Sequence, residues 1–174
     1  NSFEITDVDF DFQGGSLDEN NGNGMLVIYD DGTLAAIKVL DGLDLAFFKF
    51  DVPLDATVPQ TFDFTAAPVD RYARVALFAG SVGELRPNEI KLTTSAGDDV
   101  RIDELGSTDG NLWDALILED IFIPAGDTSL TVDLISTVSE DPLGASLAWV
   151  AAGLSLRIPD EPELYCLGDF VWMD

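Results

Sequence analysis

The 174-residue chain has no histidine, one cysteine and only eight basic residues. Each shortage closes off a chemistry. Without histidine there is no Ser-His-Asp triad, no Cys-His dyad and no histidine metal ligand. One cysteine, Cys166, leaves no internal disulfide and no thiolate zinc cluster. That residue is either an inert small hydrophobe or a link to another chain. The eight basic residues face 33 acidic ones, so the net charge is −25. Such a surface repels phosphate backbones and anionic membranes, which argues against nucleic-acid binding. Long apolar runs are missing too. The longest, residues 143–158, is broken by Ser146, Gly153, Ser155 and Arg157 and falls short of a ~20-residue membrane span. There is no Met start and no signal peptide at Asn1, which gives the expectation of a processed or excised chain.

What is present is a strand-forming chain. Hydrophobic residues reach 47%, too many for a disordered acidic tail. A chain of 18.7 kDa also buries enough surface to fold without staples. Period-two alternation recurs along it. Val8, Phe10 and Phe12 alternate with Asp7, Asp9 and Asp11. Met25 to Tyr29 reads as a strand, and Asp30-Asp31-Gly32 as a tight hairpin leading to Leu34–Leu40. Asp41-Gly42 reads as a second turn and Leu43 to Val52 as the next strand, stopped by Pro53. Alternation follows at Phe62/Phe64, Ile90/Leu92, Val100/Ile102 and Leu130/Val132/Leu134, with apolar runs at 72–79 and 115–123. Residues 146–158 are almost wholly apolar, as in a central strand covered on both faces. No stretch holds a clean helical period. About ten short strands with Gly, Pro and Asp turns predict an all-β antiparallel sandwich of jelly-roll type over residues 1–159. Residues 160–174 then form a linker and a strand-like tail.

Two stretches carry family resemblances. The run from Leu26 to Asp44 (LVIYDDGTLAAIKVLDGLD) resembles β-sandwich modules of large bacterial and archaeal surface proteins. Leu112-Trp113-Asp114 and the runs Ile123–Val132 and Ala145–Trp149 are similar to the same group. The tail Leu167-Gly-Asp-Phe-Val-Trp-Met-Asp174 resembles the opening strand of collagen-adhesin-type B modules of serine-aspartate-repeat surface proteins. The calcium loop that follows this strand in that family is absent here. What the resemblance implies is an extracellular, multi-domain protein, with this chain as the module before a B repeat.

Candidate sites are few. Glu19, Asn21 and Asn23, followed by Gly24, match the first half of a calcium loop, and Asp30 sits at the twelfth position. A plain polar hairpin loop explains the same residues, since Asn and Gly serve turns unaided. A second acidic loop gathers Asp98, Asp99, Asp103 and Asp109-Gly110-Asn111. Calcium is the one cofactor this composition suggests; otherwise none is expected. Trp113, beside that second loop, is the tryptophan placed to stack on a sugar, and core packing is its alternative. No carboxylate pair stands out for glycoside hydrolysis among 33 acids. Lys49, between Phe48 and Phe50, is either a snorkelling lysine or a buried partner for an isopeptide bond.

The reading is therefore a non-catalytic structural or adhesive module of a secreted, cell-surface or filament-forming protein, whose acidic surface fits sea water or brine, a calcium-loaded extracellular module, or plain solubility. A carbohydrate-binding module is its rival. Its expected partners are neighbouring copies or adjacent modules, without membrane insertion. The tail residues Leu164, Tyr165, Leu167, Phe170 and Trp172 compose a strand with too few neighbours to form a sheet alone. Such a strand pairs with its own sandwich or with the next molecule's. Because so few cations offset the carboxylates, self-repulsion opposes compaction. Thermal melting in low-salt buffer with chelator is thus expected well below melting in molar salt or millimolar calcium. Equal melting temperatures in all three buffers contradict this. Calcium acting at fixed ionic strength would indicate a specific site rather than screening.

Overall fold

The computed structural model describes residues 24–30, 32, 34–110, 112–138 and 146–157. Eight strands run in chain order: β1 (Ala35–Ala46), β2 (Gln60–Asp63), β3 (Arg71–Gly80), β4 (Asn88–Thr94), β5 (Gly97–Ile102), β6 (Trp113–Ile123), β7 (Ser129–Ser136) and β8 (Leu147–Arg157). They form two four-stranded sheets, ordered β1-β8-β3-β6 and β2-β7-β4-β5. Every pairing within them is antiparallel. This strand order is that of the jelly roll: each half of the chain folds back so that first pairs with last and second with second-last. The sandwich fold expected from alternation is therefore present, with eight strands among the described residues where about ten are expected over the whole chain.

The core follows from the pleat. Side chains alternate across each strand, so every second residue enters the space between the sheets. From the first sheet these are Ala73, Val75 and Leu77 of β3, Leu154 and Leu156 of β8, and Leu118, Ile121 and Ile123 of β6. Phe62, Ile90, Leu92, Leu130, Val132 and Leu134 meet them from the second sheet. All are at most a few per cent exposed. The near-continuous apolar run of β8 fits its place between β1 and β3.

Three expectations are corrected. Asp41-Gly42 is not a hairpin turn. β1 continues through it along β8, with Asp41 opposite Ala151 and Asp44 opposite Trp149, so β1 carries one extra residue in a bulge. Leu43–Val52 is accordingly not a separate strand: β1 ends at Ala46, and Lys49 lies on an exposed turn. Met25–Tyr29 pairs in neither sheet; residues 24–30 lie outside both ladders. The candidate strand around Val8–Phe12 and the boundary near residue 159 fall outside the described residues.

Buried polar groups hold the loops at one end of the sandwich. The Asp114 carboxylate is 1% exposed. It accepts the backbone N–H of Ser107 and of Thr108, each at 2.7 Å, and the Thr108 hydroxyl at 2.8 Å. Asn88, also buried, donates to the carbonyls of Arg86 and Leu105 and accepts from the Leu105 N–H. All but the Thr108 hydroxyl bond satisfy a backbone group that a loop would otherwise leave without a partner. At the other end Arg71 lies over the Phe64 ring, 5.2 Å from its centroid. Burial lowers the pKa of this guanidinium, opposed by the charge of Asp127.

Candidate functional site

The two outer faces differ in chemistry. Register and burial assign Glu89, Lys91 and Thr93 of β4 to the outside of the second sheet, with Thr61, Asp63, Asp98, Thr131 and Asp133 beside them. That face is laced by polar contacts. The Thr61 and Thr131 hydroxyls are 2.9 Å apart, and Thr93 donates to Asp98 at 2.7 Å. The outside of the first sheet instead carries Ile37 and Val39 of β1, Ala151 and Gly153 of β8, Ala76 and Phe78 of β3, and Ala115 and Ile117 of β6. Tyr72 and Phe122 extend it, their ring centroids 5.8 Å apart. Ile37, Val39, Ile117, Tyr72 and Phe122 are all exposed. Contiguous apolar surface of this kind marks an interaction site, whereas scattered exposed hydrophobes do not.

The centre of that face is a trough made by small side chains. Residues 24–30 cross it. A Cβ placed on Gly24 would lie 2.3 Å from Phe78 Cδ1 and 3.2 Å from Trp113 Cζ2, so the backbone rests directly on those rings. A Cβ on Gly153 would meet Leu26 Cδ2 at 3.3 Å and Ala76 Cβ at 3.9 Å. Leu26 thus occupies the notch that glycine leaves in β8. The crossing segment covers the trough but stays open itself: Met25, Leu26, Val27, Ile28 and Tyr29 are all exposed, Tyr29 by 82%.

Charge on this face is balanced. Arg74 forms an ion pair with Glu119. Arg157 and Asp41 stand at outward positions of β8 and β1. Asp120 sits at the β6 bulge with φ +57° and lines the groove beside β5 instead. On a chain of net charge −25, a near-neutral apolar face is the exception.

Among the described residues the sequence-derived candidates do not meet in one place. Glu19, Asn21 and Asn23 fall outside the described residues. Asp30 is exposed, and its Oδ1 accepts the Gly32 N–H at 3.0 Å, a local turn contact. Among the described residues no group of three or more acidic or cysteine side chains could hold a metal ion. The second acidic loop is dispersed: Asp99 pairs with Arg101, Asp103 accepts the Asn88 N–H, and Asp109 accepts the Ala115 N–H. Trp113 is not a loop residue. It opens β6, is 7% exposed and packs beside Phe78, 6.4 Å between centroids. Its ring is thus taken up by protein contacts. The Lys49 ammonium lies 5.3 Å from the Phe48 ring centroid. Leu164, Tyr165, Leu167, Phe170, Trp172 and Cys166 lie outside the described residues.

Sequence reasoning missed a cavity of about 250 Å³ at the β1 bulge, between β1, β8 and the approach to β2. Asp41, Asp44, Gln60 and Trp149 line it with Leu40 and Val58. Asp44 accepts the Leu45 N–H at 2.9 Å and the Val58 N–H at 2.5 Å. Gln60 donates to the Val58 carbonyl, and the Trp149 indole N–H to the Ala151 carbonyl. These bonds brace the bulge. The Asp41-Gly42 pair was its only signal in the sequence.

Asp133 is the most perturbed carboxyl. It faces Lys91 across the outer face of the second sheet, Nζ to Oδ2 4.0 Å, and its Oδ1 is buried without a hydrogen-bond partner. Burial pushes its pKa above the usual value of 3.8, against the pull of Lys91 and of the Thr57 hydrogen bond.

No protein-family model matches the chain, and no curated protein matches it in sequence. Solved structures resemble it in fold. The VP2 subviral particle of infectious bursal disease virus aligns over 79% of this chain, at 11% identity and TM-score 0.47. The Podospora anserina GH26-CBM35 β-(1,4)-mannanase covers 72%, at 12% identity and TM-score 0.38, with 29% of its own chain aligned. The tripod from the bacteriophage Tuc2009 baseplate covers 90%, at 16% identity and TM-score 0.32, with 80% of its chain aligned. This chain spans 38% and 37% of the two viral proteins' chains that head these likenesses. The fold assignment rests on the strand order itself.

A carboxyl whose folded-state pKa is raised costs stability once it ionises. For Asp133 that cost is absent below the unfolded value and appears as pH rises through the raised folded value. Asp133→Asn removes the cost. Urea unfolding at constant ionic strength should show the variant gaining on the parent as pH rises above the unfolded carboxyl value of about 3.9, until Asp133 is ionised in the folded state. Parallel profiles contradict this.

Proposed function

We propose that this chain is a non-catalytic structural or adhesive module, part of a secreted, cell-surface or filament-forming protein, whose work is association with like modules. One observation carries the reading. The β1-β8-β3-β6 sheet turns an apolar, charge-balanced face outward, on a molecule whose opposite face is mostly polar, with Val100 and Ile102 as exposed hydrophobes, and whose net charge is −25. Solubility alone favours the reverse, with carboxylates spread over both faces. An apolar face whose few acids are matched by as many basic residues supports contact with another surface.

The cavity at the β1 bulge supports a second reading, a small hydroxyl-rich ligand held by Asp41 and Gln60. The two readings separate on an array of plant, bacterial and animal glycans. The structural module predicts no glycan retained above background. Retention of one glycan, lost in Gln60→Ala, replaces the proposal with carbohydrate binding at the cavity.

A further inference from the structure

We infer that the outer face of the β1-β8-β3-β6 sheet is a homotypic interface, on which a second copy of this chain docks face to face. The inference rests on the reading of the chain as an association module and names its partner and surface. Three observations lead to it.

The first is charge. Two copies bring two net charges of −25 together, and most approaches are repulsive. The outer face of this sheet is the exception. Its Arg74–Glu119 pair is internally neutral, and Arg157 and Asp41, six registers apart along the β1–β8 ladder, bring the sum of its described charges to zero. Carboxylates on the remote sheet lie about 10 Å further back, a Debye length at 0.1 M salt. Brine screens what remains.

The second is area. Four strands at about 4.8 Å spacing and ten residues at about 3.3 Å rise span roughly 600 Å² in projection. Side-chain relief adds to that. A standard interface covers about 800 Å² per partner, so one face is the right size for a stable dimer.

The third is the crossing segment. Residues 24–30 lie in the trough of Gly153 and Ala76, yet their apolar side chains remain exposed. One layer of packing leaves the segment covered on one side only. A second copy related by a two-fold axis lays its own segment beside the first and covers both. A two-fold axis also closes the assembly, since the same patch is used on both partners.

Sedimentation velocity of the full chain tests the inference, at about 0.05 M and about 1 M salt over a concentration series. The parent chain should form a dimer, at least about tenfold tighter in the higher salt as screening removes repulsion. The double variant Val39→Ser/Ile117→Ser should lose the dimer by about tenfold or more while keeping its melting temperature. Val100→Ser/Ile102→Ser removes comparably exposed hydrophobes from the outside of the second sheet and should leave the dimer intact. A chain monomeric at high salt and millimolar concentration overturns the inference, since the face is then covered by the chain's own residues or by a different partner. Equal loss in both double variants, or an open series of species larger than a dimer, overturns it as well. These outcomes leave the module reading in place; glycan retention removes that reading.

Discussion

Among the described residues 19 acidic side chains against eight basic ones have to be placed on a sandwich that has only two faces, four edges and two sets of loops. The rest of the structure answers to that constraint. Carboxylates cannot enter the core without partners, because burying an unpaired charge costs several kcal/mol. Asp114 is buried only because backbone N–H groups and a hydroxyl surround it. Asp133, with one oxygen unmatched, shows the strain through its raised pKa. Most other acids among the described residues lie on the loops, the second sheet and the edge strands. The outer face of the first sheet is left to alanine, glycine, isoleucine and aromatic residues.

The edges of the sandwich fit the same division. An exposed edge is a template for unwanted pairing, and charges, bulges and short strands blunt it. β2 is only four residues long. β5 presents Asp98, Asp99 and Arg101. β6 bends at its Glu119-Asp120 bulge. β1 is the longest strand, with Lys38 and a bulge at Asp41–Asp44 as its only interruptions. It lies beside β8, so the apolar face and the least blunted edge belong to the same side of the molecule.

Much of the sandwich was legible in the sequence, for a physical reason. Strands with one face in a core show period two, so Ile90/Leu92 and Leu130/Val132/Leu134 announced β4 and β7 directly. The continuous apolar run of β8 announced a central strand. What failed was punctuation. Asp41-Gly42 has turn composition, but glycine beside a short acid suits a bulge equally well, and only the β8 register distinguishes the two. Met25–Tyr29 has strand composition, yet it serves as a cover over Gly153 rather than as a ladder member. Trp113 follows Asp109-Gly110 and so resembled a loop residue, although Leu112 at φ +59° ends the loop one residue earlier. The apolar outer face was hidden because its residues are spread over four strands that pair at long range. Alternation shows that a strand has two faces; it does not show which neighbours share each one.

The central claim is that this outer face is buried when molecules meet and that the rest of the surface is not. Oxidative side-chain footprinting at molar salt, comparing dilute with concentrated protein, measures this directly. Met25, Tyr72 and Phe122 should lose reactivity on concentration, while Phe50 and Leu54, equally open in the single chain but on the loop after β1, should keep theirs. Reactivity that is unchanged everywhere, or lost at Phe50 and Leu54 while Tyr72 and Phe122 stay open, would contradict the account.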